Sequence, residues 1–259
     1  NILKAYSFPA KESVETCHRQ IEAMKLSFSD GQKYITDHKK MKTGIKELLS
    51  EKFVRERRRM IGEKAILPQP GTPSGSGTVY LAAADGQGNM ISYIQSNYKG
   101  FGSGLVVPGT GIALQNRGCN FSFDPDHQNS LEPGKRSFHT IIPGFLTKEG
   151  EPVGPFGVMG GFMQPQGHLQ VVMNMIDFDL NPQAALDAPR WQWIKEKTVE
   201  VEHSFPIHIA RELKRKGHDI VVALESTGFG RGQIICRNSV TGVLSGGTEP
   251  RTDGAVAAW

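Results

Sequence analysis

The sequence predicts a layered α+β fold. Three observations predict it. Apolar residues at helical spacing fill the first 66 positions. Strand-like alternation broken by glycine turns begins at Thr78. Both textures then return, helices from Pro165 and strands from Ile220. Blocks of helices and strands in that order point to segregated layers rather than a βαβ alternation. With 259 residues, 38% of them hydrophobic, the chain can form one large domain or two small ones and bury a substantial core.

The elements are read in chain order. Glu12 or Ser13 opens a helix whose apolar side is Val14, Cys17, Ile21, Met24 and Leu26. A second helical stretch spans about 42–61, with Ile45, Leu48, Leu49, Phe53 and Val54 as its stripe. Residues 67–77, LPQPGTPSGSG, form a linker. Strands are expected at 78–84, 90–96, 103–107, 111–114, 140–147 and 153–159. A helix over 165–178 carries Leu169, Val172, Met173 and Ile176 on one apolar face. Asn181-Pro182 opens a shorter helix, with Pro182 suited to the first turn. Pro206 to Lys216 is another, closed by Gly217. From Ile220 onward IVVAL, GQIICRN, TGVLSGG and DGAVAAW read as strands.

The junction Gly77-Thr78 carries the sharpest chemical signal. A tether runs straight into an apolar strand whose first residue bears a hydroxyl. Two readings fit: a linker leading into an ordinary hairpin, or a site of self-cleavage that exposes Thr78 as a new N-terminus. A terminal threonine combines nucleophile and base, its hydroxyl attacking while an α-amine of pKa about 8 takes the proton. The turn Asp85-Gly86-Gln87-Gly88-Asn89 folds the chain about Gln87 and sets position 78 opposite position 96. Directly opposed Cβ atoms lie roughly 5 Å apart, so Ser96 is expected to hydrogen-bond the Thr78 hydroxyl. A register slip of one residue would turn one of the two to the other face.

A second candidate is Gly157-Val158-Met159-Gly160-Gly161, where a strand ends before a helix. Adjacent glycines admit close backbone approach, and their N–H groups could hold a developing oxyanion. A plain strand-to-helix turn explains the same residues. Gly100-Phe101-Gly102-Ser103-Gly104 fits neither a dinucleotide fingerprint nor a serine elbow.

Composition excludes some classes. A net charge of +4 is too mild and too dispersed for a nucleic-acid surface, and the cluster of Lys52, Arg55, Arg57, Arg58 and Arg59 reads as a solvated helix face. No run reaches the roughly 18 apolar residues of a membrane span. Cys17, Cys119 and Cys236 are too scattered for a metal site or a disulfide framework, which favours a reducing, cytoplasmic compartment. The chain starts at Asn1 rather than Met, as a fragment of a longer precursor would.

The ordered segments EAMKLSF, GTVYLAAADGQGNMISYIQSNYKGFGSG, GTGIALQNR, EPGKRSFHTIIP, GVMGG, LNPQAALDAPR and GGTEPRTDGAVAAW run from about Asn1 to Trp259. Together they resemble the γ-glutamyltransferase family of N-terminal-nucleophile hydrolases, including its cephalosporin-acylase branch. The resemblance implies a four-layer αββα sandwich. It makes 1–77 the C-terminal part of a large subunit ending in a flexible linker and 78–259 the small subunit, both in one αββα domain. It implies self-cleavage between Gly77 and Thr78, Thr78 as nucleophile, Ser96 in the place of a hydrogen-bonding threonine, and Gly160 and Gly161 as the oxyanion pair. Tyr98, Asn116, Arg117, Asn120, His139 and Thr140 stand at substrate-contacting positions. Several depart from the family pattern: Tyr98 replaces an asparagine, Arg117 a glutamine, Asn120 an aspartate that grips the substrate ammonium, and His139-Thr140 a serine pair that holds its carboxylate.

The expected activity is hydrolysis or transfer of γ-glutamyl amides through a threonyl acyl-enzyme. The alternatives are an acylase acting on glutaryl-type, cephalosporin or polyglutamate amides, and, more remotely, a non-catalytic binding protein. Neither metal nor organic cofactor is expected. The expected partners are a small amide or short peptide, the rest of the large subunit, and further copies as homodimer or heterotetramer; nucleic acid and membrane are not expected.

Overall fold

A computed structural model describes residues 1–68 and 77–259, so most of the 67–77 linker lies outside the described residues. Helix α1 (Val14–Tyr34) opens at Ser13, whose hydroxyl accepts the Thr16 N–H at 3.0 Å. The stretch expected as one helix at 42–61 is two, α2 (Ile45–Leu48) and α3 (Glu51–Arg59). Ser50 causes the break. Its side chain accepts the Phe53 N–H at 3.3 Å and caps α3 instead of continuing α2. Strands β1 (Gly77–Ala84) and β2 (Met90–Tyr98) form the expected hairpin, and the Asp85 carboxylate accepts the N–H groups of Gln87 and Asn89, both at 2.9 Å. There follow β3 (Gly144–Lys148), β4 (Glu151–Met159), α4 (Met163–Ile176) and α5 (Pro182–Asp187), then β5 (Trp191–Lys195), β6 (Thr198–Val201) and α6 (Ile207–Arg215). Strands β7 (Asp219–Val222), β8 (Arg231–Arg237) and β9 (Leu244–Thr248) complete the order.

Four expectations need correction. The strands at 103–107 and 111–114 reduce to one bridge, Val106 to Ala113. Pro108 has no N–H, Gly109 and Gly111 take φ of 77° and 70°, and the Ser103 hydroxyl competes for Leu114 O at 2.9 Å. The strand at 140–147 begins only at Gly144, because Gln164 captures the Ile142 N–H at 2.9 Å and Pro143 has none to give. DGAVAAW forms no strand; β9 ends before Glu249-Pro250, where the chain turns. The expected face of α4 is shifted: Met173 is buried as expected, but Ile176 is 64% exposed, while His168, Val171 and Asn174 are buried. The hairpin β5–β6 was not expected at all, and β6–α6–β7 is a βαβ crossover with parallel strands.

The described residues fall into two compact units. The first draws on Asn1–Pro73, Asn116–His139 and Trp191–Val222. In it α1 packs on β5 and on α6, and the Phe28 and Trp193 rings meet at 5.8 Å. The second draws on Ser74–Gln115, Thr140–Arg190 and Ala223–Trp259. It holds the hairpin β1–β2 and the sheet β3-β4-β8-β9. The hairpin lies on β4 and β8, and α4 and α5 cover the sheet. Strand β4 is therefore buried on both faces. Phe156 and Val158 join Val171, Leu186 and Ile234 in the core under the helices, while Gly157 faces the Tyr80 ring of the hairpin. Each fully buried aliphatic side chain there contributes roughly 1.5–3 kcal/mol.

Candidate active site

Pleating of β1 turns Thr78 and Tyr80 inward, at 4% and 6% exposure, and leaves Val79 and Leu81 outside. The register sets Thr78 opposite Ser96, and the Thr78 hydroxyl donates to Ser96 Oγ at 2.8 Å. The same oxygen accepts the Tyr98 N–H at 2.9 Å. The ladder shifts register between Gly77 and Thr78. Opposite that shift the buried Tyr98 takes φ of 75°, a left-handed conformation that costs a bulky residue about 1–2 kcal/mol. Strain is thus stored beside the Gly77-Thr78 bond.

Tyr80 seats this end of the hairpin. Its ring lies where a Cβ on Gly157 would be, and its hydroxyl bonds Ser92 Oγ at 2.8 Å. Burial pushes the Tyr80 phenol up to about 12, so it stays a neutral hydroxyl. Just beyond the end of β4, Gly160 and Gly161 take φ of 141° and 60°, conformations that favour glycine. Their carbonyls accept the N–H groups of Met163 at 3.0 Å and Gln164 at 3.1 Å, which turns the chain into α4. The Thr140 hydroxyl, expected at a substrate carboxylate, donates to Gly161 O at 2.8 Å and fixes this turn.

Sequence reading missed the brace beneath the turn. A Cβ on Gly160 would meet Gly230 Cα at 3.2 Å. The Arg190 guanidinium holds the carbonyls of Phe229 and Gly230 at 2.9 and 3.1 Å. Buried Glu249 pairs with Arg190 at 2.8 Å and with Arg251 at 2.6 Å. In the sequence these residues lie in DAPR and TEPR, with Arg190 and Glu249 59 residues apart, and nothing local pairs them.

The other candidates lie in the first unit. Arg117 and Asn120 lie in one 3₁₀ turn that opens at Asn116. Asn120 Nδ2 donates to Phe138 O at 3.2 Å, and the Ser137 hydroxyl donates to Arg117 O at 3.0 Å, so this turn and the 137–138 segment lie together. Asn129 ties them: its Nδ2 donates to Asn120 O at 2.7 Å and its Oδ1 accepts the Phe138 N–H at 2.9 Å. Burial, then the Arg117 and Arg136 charges, hold His139 below the usual histidine range. Neutral His139 beside cationic Arg117 suits an anion rather than an ammonium group.

The chain belongs to the gamma-glutamyltranspeptidase family, whose profile matches residues 1–259. It is 37% identical over 262 residues to the glutathione hydrolase-like YwrD proenzyme of Bacillus subtilis, covering 98% of this chain and 50% of the relative. It is 34% identical over 255 residues to the oxamate amidohydrolase proenzyme of Klebsiella pneumoniae, covering 96% and 48%. Among solved structures, a cephalosporin acylase from Bacillus halodurans shares 65% of the sequence with a TM-score of 0.94, over 100% of this chain and 47% of that one. The chain thus spans about half the length of these relatives. No helix among the described residues is long and apolar enough to cross a membrane.

Proposed function

We propose that this chain is part of a self-processing amidohydrolase and acyltransferase with Thr78 as its nucleophile. The observation that carries the reading is the 2.8 Å bond from the Thr78 hydroxyl to Ser96, on a strand whose register shifts at the Gly77-Thr78 junction. In the precursor, Thr78 Oγ1 attacks the Gly77 carbonyl, the peptide shifts to an ester, and water cleaves that ester. Gly77 offers no side chain to obstruct the attack, and strain at Tyr98 favours leaving the intact state. In the cleaved enzyme the Thr78 amine, directly or through one water, takes the hydroxyl proton. The hydroxyl adds to the substrate amide, and the Gly160 and Gly161 N–H groups hold the oxyanion, a contribution of roughly 3 kcal/mol per donor. The amine product leaves, and water or an amino acid resolves the acyl-threonine.

For substrate we propose γ-glutamyl amides, with Tyr98, Asn116, Arg117, Asn120, His139 and Thr140 in the recognition positions the family resemblance gives them. Asn120 is neutral, and an amide oxygen binds an ammonium group more weakly than a carboxylate does. That favours a second reading, an acylase for amides whose acyl part lacks an ammonium group. The names of the Bacillus halodurans acylase and the Klebsiella oxamate amidohydrolase point the same way. Turnover of γ-glutamyl-anilide against glutaryl-anilide separates the two.

We also read the complete protein as a four-layer αββα sandwich. The outward hairpin face of Val79, Leu81, Ile91 and Tyr93, 44–65% exposed, is then covered by the preceding part of the large subunit. The test of the central reading is a denaturing gel with intact mass. Wild type yields two chains that part at Gly77-Thr78, and Thr78→Ala stays one chain without amidase activity. Cleavage of Thr78→Ala at that bond overturns the mechanism.

A further inference from the structure

Cleavage at Gly77-Thr78 would leave two polypeptides with no covalent link. In the first unit, residues from both sides of that junction meet around one buried polar cluster. His18, Glu22 and Lys25 stand on one face of α1, and His218 follows α6; the exposures are 0%, 0%, 0% and 2%. The segment 62–66, which leads toward the junction, supplies backbone groups.

With Gly62 O able only to accept and Lys25 taken as an ammonium donor, the contacts assign a tautomer to each ring. His18 Nε2 lies 2.9 Å from Gly62 O, which only accepts, so Nε2 carries hydrogen. His18 Nδ1 is then an acceptor, and its partner at 2.8 Å, His218 Nε2, donates. His218 Nδ1 is left as acceptor for the Lys25 ammonium at 3.4 Å. Lys25 also donates to Glu22 Oε1 at 2.7 Å and to Ile66 O at 3.4 Å, and Glu22 Oε2 accepts the Ile66 N–H at 3.0 Å. Both rings are therefore neutral Nε2–H tautomers. A proton on either would set two N–H groups against each other. Ligand atoms of His18, Glu22 and His218 lie within 4.8 Å of one another, as a metal site requires. The Lys25 ammonium already neutralises Glu22 there, so a divalent ion would have to displace it.

We propose that this cluster is the clasp that holds the two cleaved polypeptides together, and that it releases on acidification because both of its histidines must stay neutral. The inference rests on the cleavage proposed above. Around the clasp, bonds also cross between the two chains. Ala65 N donates to Lys216 O at 2.7 Å, Lys64 Nζ to Arg215 O at 2.9 Å, and Lys216 pairs with Glu15 at 3.4 Å.

Those charges bear on the histidines as well. Burial above all, with Lys216, holds His18 below its usual range, against the Gly62 carbonyl, Glu22 and Glu15, which favour the charged ring. Burial first, then Lys25, His18, Lys216 and Lys197, holds His218 far below its usual range. Both shifts are downward. The clasp is at full strength above about pH 6.5 and weakens as pH falls, by up to about tenfold per unit for each histidine.

The test uses the full-length processed protein. Native mass spectrometry and size exclusion give the dissociation constant of the two chains from pH 8 to pH 5. Well below pH 6.5, log Kd is expected to rise by nearly two per unit fall in pH, about one proton per histidine. His218→Gln keeps a donor for His18 and an acceptor for Lys25 without a proton to gain, so its slope should fall to about one. Equal slopes, or chains held as tightly at pH 5 as at pH 8, overturn the clasp. So does a zinc-dependent tightening that a chelator removes. A single uncut band on a denaturing gel overturns the cleavage instead; acid unfolding of uncut Thr78→Ala with and without His218→Gln then tests the neutral-histidine cluster by itself. Should His218→Gln not fold, ¹⁵N spectra of the wild-type histidines at pH 7.5 decide: two neutral Nε2–H rings are expected, and a charged or Nδ1–H ring refutes the proposal.

Discussion

Replacing Glu249 by Gln should destabilise the protein far more than an ordinary isosteric change. Glu249 Oε2 accepts Arg190 Nη2 and the Gly232 N–H, both at 2.8 Å. Its Oε1 accepts Arg251 Nη1 at 2.6 Å and the Arg251 N–H at 3.3 Å. A glutamine has one oxygen and one NH₂ group, so in either orientation donors face donors. Two guanidinium groups, at side-chain exposures of 2% and 7%, are left without their counter-charge. Breaking a buried pair from one side costs roughly 3–5 kcal/mol. Against a total stability of about 5–15 kcal/mol that is a large share. At roughly 2–4 °C per kcal/mol it lowers Tm by about 6–20 °C, read by scanning calorimetry. Arg190 also fixes the Phe229 and Gly230 carbonyls beside Gly160, so kcat should fall more than KM rises. A Tm within about 2 °C of wild type would refute the argument, because it would mean the carboxylate charge is not what holds these arginines.

Three further changes probe the site and the core. Ser96→Ala removes the acceptor of both the Thr78 hydroxyl and the Tyr98 N–H, and should slow self-cleavage about tenfold or more, whereas Ser96→Thr should not; a gel time course with equal rates for all three rejects the role given to Ser96. Gly157→Ala drives a methyl into the Tyr80 ring and should cost about 1–3 kcal/mol and unseat Thr78, seen as a lower Tm together with slower cleavage; normal values for both would show that the ring does not seat the strand. His168 accepts the Val158 N–H at 3.1 Å, and burial lowers its pKa to about 4. Its contribution is complete above about pH 6.5 and lost as pH falls to about 4, up to about 3 kcal/mol. His168→Gln, which can still accept from Val158, should flatten the stability profile over that window; an unchanged profile counts against it.

What could be read from the sequence was local. The hairpin register followed from Asp85 to Asn89 alone, because turn chemistry fixes which residues face each other, and Thr78 came out opposite Ser96 as expected. Asn181 announced α5 in the same way, its Oδ1 accepting the Ala184 N–H at 2.9 Å. The hairpin β5–β6 was missed although Trp191, Trp193, Val199 and Val201 alternate. Its turn, with Glu196 at φ 45°, carries no glycine, proline or asparagine to mark it.

What stayed hidden shares one cause, the burial of polar side chains. The face of α4 was misjudged because hydropathy places Gln164, His168 and Asn174 in solvent. The fold instead gives each a backbone partner: Ile142 N–H, Val158 N–H and Ala185 O. The same limit conceals Arg190 with Glu249, and His18 with His218, pairs 59 and 200 residues apart. On α1, His18, Glu22 and Lys25 at spacings of four and three read as an ordinary solvated ladder of charges. Nothing local distinguishes that ladder from a buried one. The difference is made by the 62–66 segment and by His218, which cover that face of α1 and hydrogen-bond His18, Glu22 and Lys25. Partners so distant in sequence are chosen by the assembled unit, which is why these two charged clusters became visible only once it was built.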